Sequence, residues 1–275
     1  MSGTVEIPPG MVCTTHWGLI TAETAQCLSD TRAKCIERGL QNIEWRMIPG
    51  ALVDKARNEA MRHLLSTQHQ WVLMLDGDMV WEPNAVTDLL VTAYGSHPQY
   101  DVLGAYCTLR GALSLPTIDT GTGTWESHYP GQGVVSVMRT GAAFMLIKRH
   151  VLERVPSPWF GLRIPQRPID AVAEVDTFCL TIFDGKNPFR GRPDQAWETL
   201  VQAASTHSSA QSWVPAEVGE DSSFCDRVTA AGMRIGVQTD LVTRHIDKET
   251  KDWTSHRKAM DERTKLHRLM SGFTA

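Results

Sequence analysis

Much of what bounds this 275-residue chain is what it does not contain. Its six cysteines (Cys13, Cys27, Cys35, Cys107, Cys179 and Cys225) form no C-x-x-C pair, so neither a zinc site nor a disulfide framework is expected. Buried thiols in a reducing compartment fit the spacing better. No apolar run approaches the ~20 residues that a membrane-spanning helix needs. The opening MSGTVEIPPG lacks the basic and apolar stretches of a secretion signal, so a soluble, cytoplasmic protein is expected. A sustained basic run is missing as well, and the net charge of −4 removes a general electrostatic affinity for nucleic acid. There is no internal repeat. The chain does have 42% hydrophobic and 21% charged residues, a composition that can bury a core without staples.

Strand-like and helix-like patterns alternate through the first half, which signals an α/β sheet. Residues 11–15 read as a strand, 21–38 as a helix stopped by Gly39, and 43–48 as a strand ended by Pro49-Gly50. Val53, Ala56, Ala60, Met61, Leu64 and Leu65 recur at helical spacing, giving a second helix to about Ser66. The unbroken apolar run WVLML (71–75) suits a central parallel strand covered on both faces. Pro83 is expected to open a helix, with strands at 101–108 and 134–147, the latter interrupted by Gly141.

From 156 to 218 seven prolines and no sustained period point to an insertion or a long active-site loop region. A helix follows at Glu220, with Phe224, Cys225, Val228 and Ala231 on one face and Gly232 as its C′ residue. A strand at 234–238 and a terminal helix at 253–270 complete the pattern. The expected division is an α/β core at 1–155, an insertion at 156–218, and the rest of the core at 219–275.

Asp76-Gly77-Asp78 carries the most chemistry. With 17 aspartates, chance alone supplies about one D-x-D in such a chain, so the triplet depends on its position. It follows the WVLML strand directly, at the carboxyl edge of the expected sheet, where open α/β folds place ligands. Two carboxylates on a turn, separated by a glycine expected to take an unusual backbone angle, offer hard oxygens to Mg²⁺ or Mn²⁺. A solvated turn is the plain alternative. Arg57 and Asn58 begin the helix after the second strand, where Arg57 is placed to contact a nucleotide or brace an aspartate of the triplet. Asp54, one turn earlier, is placed to accept from a base or ribose. Glu220 and Asp221 open their helix, where acidic residues also serve as caps. Asp221 is the candidate general base and Glu220 its competitor. His245, ending the last strand region, is a candidate third metal ligand beside Asp76 and Asp78.

Taken in order, the RN pair on a helix, the apolar strand into DGD, the segment TGAAFMLIKRHVLERV, the stretch GEDSSFCDRVTAAGMRIGV and the closing RHI resemble the GT-A glycosyltransferases related to family 2. The likeness is strongest to compact members from bacteriophage and archaeal genomes, and it covers residues 11–155 and 219–247. It implies a GT-A α/β fold with a mixed, mostly parallel sheet. It further implies transfer of a sugar from a nucleoside-diphosphate sugar, UDP-sugars favoured, with Mn²⁺ or Mg²⁺.

In this likeness Asp76 and Asp78 match the D-x-D, His245 the metal-ligating histidine and Glu220-Asp221 the acidic motif whose aspartate serves as base. Thr14 and Thr15 fall where the family contacts the nucleotide. The acceptor is left open among a glycan, a small molecule and hydroxymethylated pyrimidines in DNA, a phage-encoded enzyme then acting in its host's cytoplasm. Basic residues at 186, 190, 192, 257, 258, 263, 265 and 268 are candidates to touch phosphates in the DNA case. Two rivals are a sugar nucleotidyltransferase, for which a Gly-rich basic phosphate loop after the first strand is missing, and a non-catalytic sugar- or nucleotide-binding module.

Overall fold

A computed structural model describes residues 5–16, 18–50, 52–109, 115–122, 125–161 and 219–246. The expected helix at 253–270, most of the expected insertion and the eight basic residues named for phosphate contact lie outside that set.

In chain order the described elements are β1 (Gly10–His16), α1 (Ala22–Glu37), β2 (Ile43–Pro49), α2 (Val53–Ser66), β3 (Trp71–Asp76), β4 (Met79–Val80) and α3 (Ala85–Val91). Next come β5 (Val102–Tyr106), β6 (Ile118–Asp119), β7 (Val134–Val137), β8 (Arg139–Thr140), β9 (Phe144–Lys148) and α4 (Arg149–Arg154). The last are α5 (Glu220–Ala230), β10 (Ile235–Val242) and β11 (Arg244–His245). Seven strands form one sheet in the order β2-β1-β3-β9-β5-β10-β7. β1 pairs in parallel with β2 and β3, as β10 does with β5, while β9 and β7 run against their neighbours. This is the mixed, mostly parallel, helix-flanked sheet of the GT-A type. It places the carboxyl ends of five strands on one edge.

Alternation within strands sorts the core into two layers. Met11, Cys13, Val72, Met74, Met145 and Ile147 face α2, α4 and α5, whose Ala60, Met61, Leu64, Val151, Phe224 and Val228 complete that cluster. Val12, Trp71, Leu73, Leu75 and Leu146 face the other way, onto Cys35 of α1 and Val86, Leu89 and Leu90 of α3. The WVLML run is thus buried on both faces, as read. Its neighbours are β1 in parallel and β9 antiparallel, so it is not flanked by parallel strands on both sides.

Local chemistry sets the ends of the elements. Thr21 caps α1, its hydroxyl accepting from the Thr24 N–H at 3.1 Å, and Gly39 ends that helix's turn at φ +76°. α3 starts at Ala85, because Pro83 lies in the preceding turn that the Ala85 N–H closes onto Glu82 O. Residues 134–147 form three strand pieces, since β8 leaves the main sheet to pair with β6 and Gly141 packs under Thr117. Ala231 is exposed and stands outside the buried face of α5, because the helix ends at Ala230.

Trp159 and Phe160 belong to the core, four and five residues beyond the boundary read at 155. Asn58 holds them there. Its Oδ1 accepts from the N–H groups of Trp159 (2.8 Å) and Phe160 (3.1 Å), and its Nδ2 donates to the Phe160 (2.5 Å) and Asp54 (2.7 Å) carbonyls. Arg227 of α5 donates to the Pro158 and Trp159 carbonyls from the other side. Replacing Asn58 by Ala leaves two buried N–H groups without that acceptor, and should cost about 2–4 kcal/mol in urea unfolding. A loss below about 1 kcal/mol would show that water or relaxation replaces the clamp.

Candidate functional site

The carboxyl edge brings together residues far apart in sequence. Thr15, the next-to-last residue of β1, and Asp76, which ends β3, are direct partners in the register of the two strands. The Thr15 hydroxyl donates to Asp76 Oδ1 at 3.1 Å. Arg57 projects from α2, whose start follows β2, and its Nη2 donates to both Asp76 oxygens at 3.0 and 3.2 Å. The other arm of the guanidinium, Nη1, donates to Glu220 Oε1 at 2.6 Å, across 163 residues of chain. Arg57 is only 3% exposed, with its carbon Cζ 5.6 Å from the Phe160 ring centroid. Phe160 in turn stacks on Phe224 of α5 at 4.6 Å. A buried cation therefore bridges the end of β3 to the start of α5, and an aromatic pair supports it.

Charge in this cluster does not balance. Burial alone favours the neutral form of Arg57, but Asp76, Glu220 and Asp221 together push its pKa up. Glu220 is pushed above the usual carboxyl range, first by burial, against the pull of Arg57, with Asp221 and Asp76 adding repulsion. One guanidinium faces three carboxylates, so the cluster carries excess negative charge. Asp221 lies at the same helix end, and its Oδ1 accepts from the Ser222 N–H at 2.7 Å.

Gly77 does not take an unusual backbone angle; its φ is not positive. Space is what requires glycine there. A Cβ would stand 3.0 Å from both His16 Cβ and Ile20 Cγ2. The Gly77 N–H donates to Thr15 O and its carbonyl accepts from the Thr21 N–H, so the triplet's turn is laced to β1 and to the cap of α1. Beyond the turn, β4 pairs with β11, which sets His245 opposite Met79 and joins the Ile246 N–H to Asp78 O at 2.7 Å. His245 Nδ1 lies 3.8 Å from Asp78 Oδ1, in a largely buried position.

The expected ligand set thus divides. Asp78 and His245 are neighbours, whereas Asp76 is turned to Arg57 and Thr15. Among the described residues no three His, Cys, Asp or Glu side chains form a group that could enclose a metal. One carboxylate and one imidazole do suit a divalent cation that takes its remaining ligands from phosphate oxygens and water.

Thr14 points away from this cluster. It lines a groove of about 570 Å³ between α1 and β2 with Trp45 and Arg32. Asp54 is half-buried one turn before Arg57, and its carbonyl receives Asn58. A second cavity of about 410 Å³ lies at the opposite edge of the sheet, by Gln70 and Lys148. Sequence reading did not place Phe160 against Arg57, and it missed Arg139, which pairs with Asp226 of α5.

No protein-family model and no curated protein sequence matches this chain. Among solved structures the chain is similar to the protein A197 from STIV, at 16% identity and a TM-score of 0.51, over 87% of this chain and 86% of that one. That likeness shows a shared fold. Weaker superpositions include a glycosyltransferase involved in the glycosylation of the major capsid of PBCV-1 (13% identity, TM-score 0.32, 55% and 70% covered). Another is S. aureus TarS 1–349 (13% identity, TM-score 0.34, 53% and 48% covered).

The raised Glu220 carboxyl gives a signed expectation. A carboxyl whose folded pKa is raised holds its proton more tightly in the folded state, so its contribution to stability is present at low pH. That contribution is lost as pH rises through the folded value. Compared with Glu220→Gln, the wild-type protein should therefore lose stability from acid toward neutral pH in paired denaturation curves. The opposite slope would mean that Arg57 outweighs burial at this carboxylate.

Proposed function

We propose that this protein is a glycosyltransferase that moves a sugar from a nucleoside-diphosphate sugar to an acceptor hydroxyl. One observation carries the reading: Arg57 gathers Asp76, at the end of a central strand, and Glu220, at the start of α5, into one buried cluster at the sheet's carboxyl edge. That edge is where open α/β sheets bind nucleotides. The bridge sets the DGD turn beside the helix end that bears Asp221.

In this reading Asp78 and His245 hold Mn²⁺ or Mg²⁺, and Asp76 supports the turn from its place on Arg57 and Thr15. When bound, the cation would neutralise charge developing on the departing diphosphate. The excess negative charge around Arg57 favours such a cation. Glu220 is committed to Arg57, which leaves Asp221 as the general base. As the acceptor oxygen bonds to the anomeric carbon, the bond from that carbon to the diphosphate breaks and the acceptor proton passes to Asp221. A single displacement of this kind inverts the anomeric centre.

A panel of nucleoside-diphosphate sugars with Mn²⁺, followed by nucleoside diphosphate release, tests the reading. Release should occur for one donor, with UDP-sugars the first choice. Asp221→Asn should lower it by about 10²-fold or more, while titrated nucleotide affinity stays within about twofold. Undiminished release in that variant removes Asp221 from the role. Binding of every donor without release, in the wild-type protein, would favour a binding module.

A further inference from the structure

Helix α5 is held by a second arginine that the proposed chemistry does not use. Arg139, on β8, meets Asp226 with Nε at 2.5 Å from Oδ1 and Nη2 at 3.0 Å from Oδ2, a two-pronged contact. Its remaining nitrogen, Nη1, lies 3.6 Å from Asp119 Oδ2. Asp119 is 2% exposed and sits on β6, which pairs with β8 in register Asp119↔Arg139. Asp119 Oδ1 accepts from the Gly121 N–H at 2.9 Å, which orients that carboxylate.

The arrangement repeats the one at Arg57. In each, a guanidinium joins one carboxylate of α5 to one carboxylate elsewhere: Glu220 to Asp76 through Arg57, and Asp226 to Asp119 through Arg139. Glu220 fixes the first residue of the helix, and Asp226 lies nearly two turns further along. Phe224, Cys225 and Val228 pack one face of this helix into the core, and Arg227 donates to the Pro158 and Trp159 carbonyls, so the two ion-paired tethers act on a helix that is already docked. The tethers stand at different heights and so bear on both its rotation and its height, and Cys225 Sγ, which donates to Thr140 O beside Arg139, adds a contact on the same side. Asp221 sits between the two anchors. Its carboxylate must meet an acceptor hydroxyl, and a misplacement of about 1 Å at such a group costs ~10²-fold in rate.

We infer that Arg139 is a positioning residue for the reaction, setting the rotation and height of α5, and with them the Asp221 carboxylate, through its two-pronged contact with Asp226. This rests on the proposed function. The shape of the guanidinium matters as well as its charge: lysine keeps the charge and the aliphatic stem but offers a single point contact in place of the fork.

The test compares Arg139→Lys, Arg139→Ala and Asp226→Asn with the wild-type protein by nucleoside diphosphate release, thermal unfolding and amide hydrogen exchange. Arg139→Lys should keep a near-wild-type unfolding temperature, lose about tenfold or more in kcat and leave donor KM within about twofold. Exchange should rise in residues 220–226 and stay unchanged in α2 and β3. A kcat for Arg139→Lys within about twofold of wild type, or exchange that rises throughout the protein, overturns the inference and leaves Arg139 a structural ion pair. If the wild-type protein releases no diphosphate from any donor, the proposed function fails on its own account. Exchange over 220–226 then still decides whether Arg139 sets the helix: unchanged protection refutes it.

Discussion

A single buried guanidinium organises this molecule's carboxyl edge. Arg57 cannot give up its charge, and at its depth that charge must be met. Asp76 and Glu220 meet it, one from the end of β3 and one from the start of α5. The consequences run outward. Asp76 is fixed, so the Gly77 turn is fixed, and Asp78 is delivered to the β4–β11 ladder where His245 lies. Phe160 beneath the guanidinium stacks on Phe224 and is itself held by Asn58, so the segment at 158–160 is bound to the same point. Two stretches of chain more than 100 residues apart share one support.

The sheet was readable from residue pattern because its signals are local. The helix over 21–38, the glycine at 39 that stops it and the WVLML run each rest on signals that act over a few residues, and each appears where expected. Long-range pairing was less legible. Gly141 marks an interruption of 134–147, but the partner that β8 leaves the sheet for is not local: β6 and Thr117, which packs on Gly141, lie more than 20 residues away. The reading of Gly77 failed for a related reason. Backbone freedom and close packing both select glycine, and only the position of His16 and Ile20 separates them.

The candidate site shows the same divide. Arg57 bracing an aspartate of the triplet was legible because both residues follow parallel strands, whose carboxyl ends share an edge. Glu220 as its second partner was not, since helix-end acids usually serve the helix itself. Arg139 and Asp226 carry no motif at all; their link exists only once β8 and α5 are adjacent. Thr14 and Thr15 illustrate the limit of position without geometry. Adjacent strand residues face opposite sides, so Thr15 joins Asp76 while Thr14 lines the α1 groove.

The central claim is that one two-armed cation makes a single unit of the DGD turn and the acidic helix end. Arg57→Lys tests it most directly, because an ammonium cannot serve both carboxylates with the same fork. Sugar transfer and the denaturation midpoint would be measured on the same preparation. The account expects transfer to fall by at least about tenfold and stability by about 2–4 kcal/mol, with both losses present together. Wild-type transfer and stability in Arg57→Lys would contradict it, since a point charge would then suffice and the bridge would not be the support described.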